Sequence, residues 1–205
     1  GVDVLVLEGG GAQLEASSQE LQQGESLGHP FESIGIGRYR VLGGSTVYWG
    51  GQVIAFDEFV RGPRPWAGHD AWPVDPQELA ACFVEALRLL GLGAVELADG
   101  AVWQGMGLPE PKLSAETELL LTRWVPVRNL ARHLRSELRA GGSPRVLLHA
   151  NVTGLELSDD GRRVAALHVR TRGGRSARVE APHVVLANGT LEIARLLLHP
   201  LADGR

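Results

Sequence analysis

The chain opens on Val2-Asp3-Val4-Leu5-Val6-Leu7, a run of branched and aliphatic residues that stops at Glu8-Gly9-Gly10-Gly11. A short, almost wholly apolar run closed by a turn-forming triplet reads as a buried strand. Such a strand needs a core around it, and the composition supplies one. Of 205 residues, 44% are hydrophobic and 21% charged, which suits one sizeable globular core or a domain with a small companion. The 20 basic and 24 acidic side chains leave a net charge of −4, so nucleic acid is not the expected partner. No stretch reaches the roughly 18 apolar residues of a membrane span. The apolar opening is too short for a secretory signal and lacks its basic leader, so a cytoplasmic setting is expected. Cys82 is the single cysteine, which excludes an internal disulfide and a cysteine-rich metal site. Residue 1 is Gly and the one methionine is Met106, so the chain is expected to be processed, trimmed or part of something longer.

Residues 12 to 37 are polar and glycine-rich, without sustained periodicity, and read as loop. Arg38 to Gly51 reads as a shaped turn with embedded aromatics. Residues 57 to 73, with Pro63, Pro65, Trp66, Trp72 and Pro73, read as an irregular connection anchored by aromatics. Asp75 opens a helix: Asp caps it, Pro76 takes the first helical position and Glu78 completes a capping box. Leu79, Phe83, Ala86, Leu87 and Leu90 form its apolar face, Cys82 sits beside that face as a small core residue, and Gly91 ends it. Glycines and prolines break residues 91 to 128. A second helix is predicted over 129–140, with Leu130, Leu134 and Leu138 as its stripe and Gly141 as its stop. The pattern then becomes β. Arg145 to His149, Val152 to Leu157, Val164 to Thr171 and Ser176 to Glu180 are predicted strands, with hairpin turns at Asp159-Asp160-Gly161 and Gly173-Gly174. Val184 to Ala187 reads as another buried strand. It turns at Asn188-Gly189-Thr190 into a third helix, with Leu191, Ile193, Leu196 and Leu197 apolar and an end before Pro200.

Two features bear chemistry. Glu8 ends a strand, and in dinucleotide-binding units a carboxylate at the tip of the second strand accepts hydrogen bonds from both adenosine ribose hydroxyls. The alternative is a solvent-exposed acid. The glycine fingerprint that makes this specific should lie ~20 residues upstream of the acid. G-x-G-x-x-G occurs nowhere: the candidates starting at Gly9, Gly35, Gly91 and Gly105 end on Leu14, Arg40, Glu96 and Glu110. The second feature is Arg38-Tyr39-Arg40-Val41-Leu42-Gly43-Gly44-Ser45-Thr46-Val47-Tyr48-Trp49-Gly50-Gly51. Paired glycines let backbone amides approach a ligand closely, and the adjoining hydroxyls add hydrogen bonds. The alternative is a tight turn plugged by Trp49. Ser17, Ser18 and Ser45 lack a G-x-S-x-G setting, so a hydrolase is not supported. His69 reads as a loop hydrogen-bonder, and His133, His149 and His168 as packed or surface residues without zinc-like spacing. Trp66, Trp72, Trp103 and Trp124 serve packing or a substrate platform.

Arg38-x-Arg40-Val41-Leu42-Gly43-Gly44-Ser45-Thr46 resembles the N-terminal signature of the glucose-methanol-choline (GMC) family of flavin-dependent oxidoreductases. Trp49-Gly50-Gly51 and the Trp66 to Pro73 stretch resemble its bacterial branch related to sugar oxidoreductases and pyranose oxidases. Val4 to Gly10 resembles the strand that delivers the family's ribose-binding acid. His149 to Thr153 resembles the strand whose backbone meets adenine, and Val184 to Leu198 the late flavin-contacting strand, turn and helix. The stretches stand in the family's order and span nearly the whole chain.

The resemblance implies an α/β chain: a partial Rossmann-like FAD-binding domain with an added β-hairpin or meander and an irregular helical insertion. Residues 1–56 and 129–205 would form the cofactor-binding part, and 57–128 an insertion near the flavin and substrate. Glu8 would hold the adenosine ribose. Gly43, Gly44, Ser45 and Thr46 would line the pyrophosphate and the flavin edge, with Trp49, Gly50 and Gly51 near the isoalloxazine ring. Val152 would meet adenine through its main chain. Ala187, Asn188 and Gly189 would sit by the phosphates and ribityl chain, where a helix N-terminus also offers amides to phosphate. Asn188 and Thr190 stand where the family has small residues. Tyr48 stands where close relatives often carry the His that bonds to flavin, so FAD is expected to be noncovalent. The implied activity is oxidation of a CH–OH group of an alcohol, sugar or polyol, with hydride passed to the flavin and the final electron acceptor open. The family's base is a His, paired with His or Asn, late in a longer chain. None of the seven His residues here occupies that motif, so this chain alone is expected to retain flavin weakly or not at all and to show no turnover. Two other readings stand beside this one. The first is a non-catalytic flavin- or nucleotide-binding fragment that needs another chain. The second is another Rossmann-type flavoprotein dehydrogenase, which shares the Glu8 strand but does not account for Leu42 to Gly51.

Overall fold

The computed structural model describes residues 1–31, 34–93, 99–117 and 119–198. These residues are mixed α and β, with three small sheets. The chain divides into two units, Gly1–Tyr48 with Leu134–Arg205, and Trp49–His133. The first unit holds β1 (Leu5–Leu7), α1 (Ala16–Gln19), α6 (Arg135–Arg139), β4 (Arg145–Leu147), β5 (Asn151–Leu157), β6 (Val164–Arg170), β7 (Ser176–Val179) and α7 (Thr190–Leu198). The second holds β2 (Gln52–Val53), α2 (Glu58–Arg61), α3 (Pro76–Leu89), α4 (Asp99–Met106), β3 (Arg123–Trp124) and α5 (Leu130–His133).

In the first unit β1 pairs in parallel with β4, Val6 opposite Val146. The pairing continues past the strand ends: Glu8 N donates to Leu147 O (2.9 Å), Ala150 N to Glu8 O (2.8 Å) and His149 N to Gly10 O (2.9 Å). On its other edge Gly11 bridges Val41 in parallel, and Leu42 N donates to Gly11 O at 2.9 Å. The expected buried strand over residues 2 to 7 is therefore only three residues long, and one of its faces is open, with Val4 and Val6 42% and 40% exposed. An apolar run reports a preference for burial. It does not report whether a second layer exists to satisfy it.

Residues 12 to 37 are not all loop, because α1 and a following 3-10 turn, Glu20–Gln22, lie within them. Polar side chains hold this turn and a half. The Gln19 amide pairs with both backbone groups of Arg40, accepting from N (3.0 Å) and donating to O (2.8 Å). Gln22 Nε2 donates to Arg38 O at 2.6 Å, and buried Ser18 donates to Glu15 Oε2 at 2.9 Å.

Strands β5, β6 and β7 form an antiparallel meander whose register shifts twice between β5 and β6, with an extra residue at Thr153 in β5 and at Ala165 in β6. Its inner face supplies most of the core: Leu155, Leu167 and Val169, closed by Ala150 and by Leu196 of α7. Val184 and Leu186 pack against this cluster while Val185 is 86% exposed. That alternation is a strand's, but residues 184 to 187 join no ladder among the described residues, which corrects the expected strand. Of the expected apolar residues of α7, Ile193 and Leu196 turn inward, and Leu191 and Leu197 face solvent. The expected helix end before Pro200 lies outside the described residues.

In the second unit β2 and β3 pair antiparallel, Gln52 opposite Trp124. Residues 57 to 73 are more regular than expected. Asp57 caps α2 by accepting from Val60 N at 2.9 Å, and a 3-10 turn spans Pro65–Ala67. Phe56 meets Trp72 edge-on at 5.3 Å, and Phe59 stacks on Trp66 at 6.0 Å. The Asp75 carboxylate accepts the Gln77 and Glu78 amides at 2.8 and 3.0 Å, and Gly91 ends the helix region with φ +82°. Leu87 is buried and Leu79, Phe83 and Leu90 half-buried, whereas Ala86 and Cys82 are exposed, so Cys82 is not a core residue. The helix expected across 129–140 is broken: α5 ends at His133, Leu134 leaves helical backbone (φ −91°, ψ 13°), and α6 begins at Arg135.

Candidate functional site

Glu8 sits at the carboxyl end of β1, where the glycine triplet lets two chain segments close on it. A Cβ at Gly10 would overlap the Arg40 carbonyl and lie 2.6 Å from Val41 N. One at Gly11 would overlap the Glu15 carboxylate and lie 3.0 Å from His149 Cε1. Neither glycine has a positive φ, so what they supply is close approach and not an unusual turn. Glu8 Oε1 accepts the Gly10 amide at 2.7 Å. Burial pushes the Glu8 carboxyl above the usual glutamate value, and the Gly10 amide, the Arg40 charge and the Gly9 amide only partly oppose it.

Around this turn stands a cluster that the sequence reading did not name. Arg38 Nη1 and Arg40 Nη2 lie 3.1 and 3.4 Å from the Glu192 carboxylate, and Arg195 Nη2 lies 2.8 Å from it. Arg40 Nη1 donates to Asn151 Oδ1 at 2.8 Å, and Asn151 Nδ2 donates to Arg170 O at 3.2 Å. Arg38 also donates to Gln22 O (2.8 Å) and Ile34 O (2.9 Å). Burial on its own pushes Glu192 up, but Arg195, Arg40 and Arg38 together hold it below the usual value. The Glu8 turn, residues 38 to 41, the start of β5 and helix α7 are thus joined by charge and hydrogen bonds. A signal was available in the sequence, because Arg-x-Arg on an extended segment puts both side chains on one face.

The other expected residues fall into place less closely. Gly43 (φ +94°) opens a 3-10 turn, Gly44–Val47, with Gly44 N donating to Val41 O at 2.7 Å. Ser45 Oγ donates to Gly37 O (3.0 Å) and Thr46 Oγ1 to Gly43 O (2.5 Å). Tyr48 packs at a tilt against Tyr39, ring centroids 4.6 Å apart. Val152 lies in β5 opposite Val169, its side chain against the core. Ala187 and Asn188 are exposed, and Gly189 (φ +83°) has open space around it. Trp49, Gly50 and Gly51 belong to the second unit. There Trp49 Nε1 donates to Arg128 O at 2.6 Å, and a Cβ at Gly51 would lie 2.6 Å from Arg128 Cγ.

The histidines are spread out. His133 Nε2 is 2.8 Å from Leu89 O, His149 Nδ1 is 3.6 Å from Glu15, and His168 Nε2 is 3.4 Å from Glu156. Among the described residues no group of three or more His, Cys, Asp or Glu could hold a metal ion, and no helix is long and apolar enough to cross a membrane. A cavity of about 150 Å³ in the second unit is lined by Val53, Ile54, Leu87, Leu121 and Arg123 among others. One of about 320 Å³ in the first unit is lined by Gln23, Gly24, Ser26, Phe31, Ile34 and Gly35. None of the residues expected to touch the cofactor lines either cavity. In comparisons with known proteins, no family model, curated protein or solved structure matches the chain.

Proposed function

We propose that the chain is the Rossmann-like FAD-binding part of a GMC-type oxidoreductase acting on the CH–OH group of an alcohol, sugar or polyol. The observation that carries this reading is the setting of Glu8: a half-buried carboxylate at a strand end, held by backbone amides and surrounded by the segments the resemblance assigns to the cofactor. A carboxylate has about four acceptor positions. The amides of Gly10 and Gly9 use part of this capacity, which leaves room for two vicinal ribose hydroxyls.

FAD, when bound, supplies the acceptor for the alcohol's hydride. The chain's own residues bind and orient it. The exposed turn Ala187 to Gly189 leads into α7, whose first amides have no intrahelical partner and suit a phosphate. Ser45 and Thr46 already give their hydroxyl protons to backbone carbonyls, so their part is to shape the glycine turn. Tyr48, packed at a tilt against Tyr39, offers no histidyl link, so the cofactor is held noncovalently. The alcohol's proton is assigned to no side chain of this chain.

Titrating FAD against the chain and following flavin fluorescence polarisation tests the reading. The expected result is weak but saturable binding that ADP competes away. A polarisation that stays flat to saturating chain contradicts it.

A further inference from the structure

We propose that the cavity of the second unit is a binding site for a small neutral molecule with a hydrocarbon body and one hydroxyl group, about the size of cyclohexanol. The cavity is built wholly from residues of that unit, so the inference holds whether or not the first unit binds flavin. Its volume of about 150 Å³ is the space that a single six-membered hydrocarbon ring fills. Burial orders its wall. Leu87 of α3, 7% exposed, is the floor, and Val53 and Ala55, half-buried, are the sides. Ile54 and Leu120, 53% and 54% exposed, stand at the mouth. Aliphatic side chains around an opening hold poorly bonded water, and a hydrocarbon body that displaces this water gains by binding.

The wall is fixed in advance. Strands β2 and β3 pair beside it, Val53 opposite Arg123. Val125 N donating to Gly51 O (2.8 Å) and Gln52 Nε2 to Thr122 Oγ1 (2.6 Å) extend that pairing. Phe56 meets Phe83 of α3 edge-on at 6.4 Å, which ties the stretch after β2 to the helix that carries Leu87. A site already in shape spends little on ordering. Two polar residues of the lining choose the ligand. Asp57 and Arg123 carry opposite charges, so the cavity favours neither an anion nor a cation. Asp57 Oδ1 is taken by Val60 N at 2.9 Å, while Oδ2 meets no donor among the described residues and is left to accept one hydroxyl. Arg123 Nη1 donates to Leu121 O at 2.7 Å, which holds the guanidinium against the wall. A sugar fits poorly, because most of its hydroxyls would face aliphatic side chains, and each hydroxyl buried without a partner costs affinity.

The test follows the methyl groups of Val53, Leu87 and Leu121 by NMR in the full chain as cyclohexanol is added. Saturable shifts are expected, with a Kd of about 1 mM, and none from glycerol at the same concentrations. Ala55→Phe puts an aromatic ring into the cavity and is expected to weaken cyclohexanol about tenfold or more. Leu120→Asp serves as the test if Ala55→Phe fails to fold. It changes a residue already more than half exposed, sets a charge at the mouth, and is expected to bring the same loss. Methyl groups that do not shift with cyclohexanol, that shift equally in both variants, or that answer glycerol as they answer cyclohexanol overturn the proposal. A flavin titration of the same protein reads the first unit, so the failure of either reading leaves the other standing.

Discussion

Gly10 has no room for a β-carbon, because the backbone of Arg40 and Val41 already occupies the space. Gly10→Ala is therefore expected to lower stability by about 3 kcal/mol in urea denaturation, since neither backbone can yield cheaply. Gly105 is the contrast. It lies in α4 with open space around it, so Gly105→Ala should raise stability by about 0.5 kcal/mol. The two carboxyls of the site respond to pH with opposite sign. Glu8, raised in the folded state, contributes stability that is fully present below the ordinary glutamate value and is lost as pH rises through the raised one. Glu192, lowered, contributes stability present above the ordinary value and lost as pH falls through the lowered one. Urea midpoints across the acidic range should show Glu8→Gln removing the loss on the alkaline side of the glutamate range, and Glu192→Gln removing the loss on the acid side. The place of Glu8 at a strand end was legible because strand, acid and glycines are contiguous. Arg38, Arg40, Asn151 and Glu192 were not read as a group, because more than 100 residues separate the first pair from the second and only the fold brings them together.

Helix α3 shows what local rules can carry. Its cap, first-turn proline, stripe and glycine stop lie within 17 residues and behave as read except at three places: Ala86 and Cys82 are exposed, and Glu78 makes no return bond to Asp75 N, so the expected capping box is only half formed. Asp75→Ala removes two amide contacts and should cost about 1 kcal/mol, seen as lost helical ellipticity and a lower midpoint. The meander β5 to β7 was legible for the same reason, since alternation and glycine turns are local. Three other elements were not. Helix α1 depends on Gln19 and Gln22 reaching residues 16 to 21 positions away. The stripe through Leu130, Leu134 and Leu138 is real as a pattern, yet the backbone breaks at Leu134. Val184 to Leu186 alternates as a strand does, and no ladder partner meets it among the described residues. Helix α7 is fastened at Glu192, so Glu192→Ala leaves Arg38 and Arg40 half-buried without a counter-charge. A loss of about 3 kcal/mol is expected, with amide exchange rising first along α7.

At the scale of the molecule, the expected cofactor residues divide between the two units. Glu8, Gly43 to Thr46, Val152 and Ala187 to Gly189 belong to the first, and Trp49 to Gly51 to the second. Within the first unit the glycine turn, the arginine segment, the start of β5 and helix α7 converge on one polar cluster beside Glu8, and the function proposed here stands on that convergence. Its most direct test is calorimetric titration of ADP into the wild-type chain and into Glu8→Gln at neutral pH. The account predicts saturable binding by the wild type, weakened about tenfold when the charged acceptor becomes an amide. Equal affinity in the two proteins, or heat from neither, would contradict it.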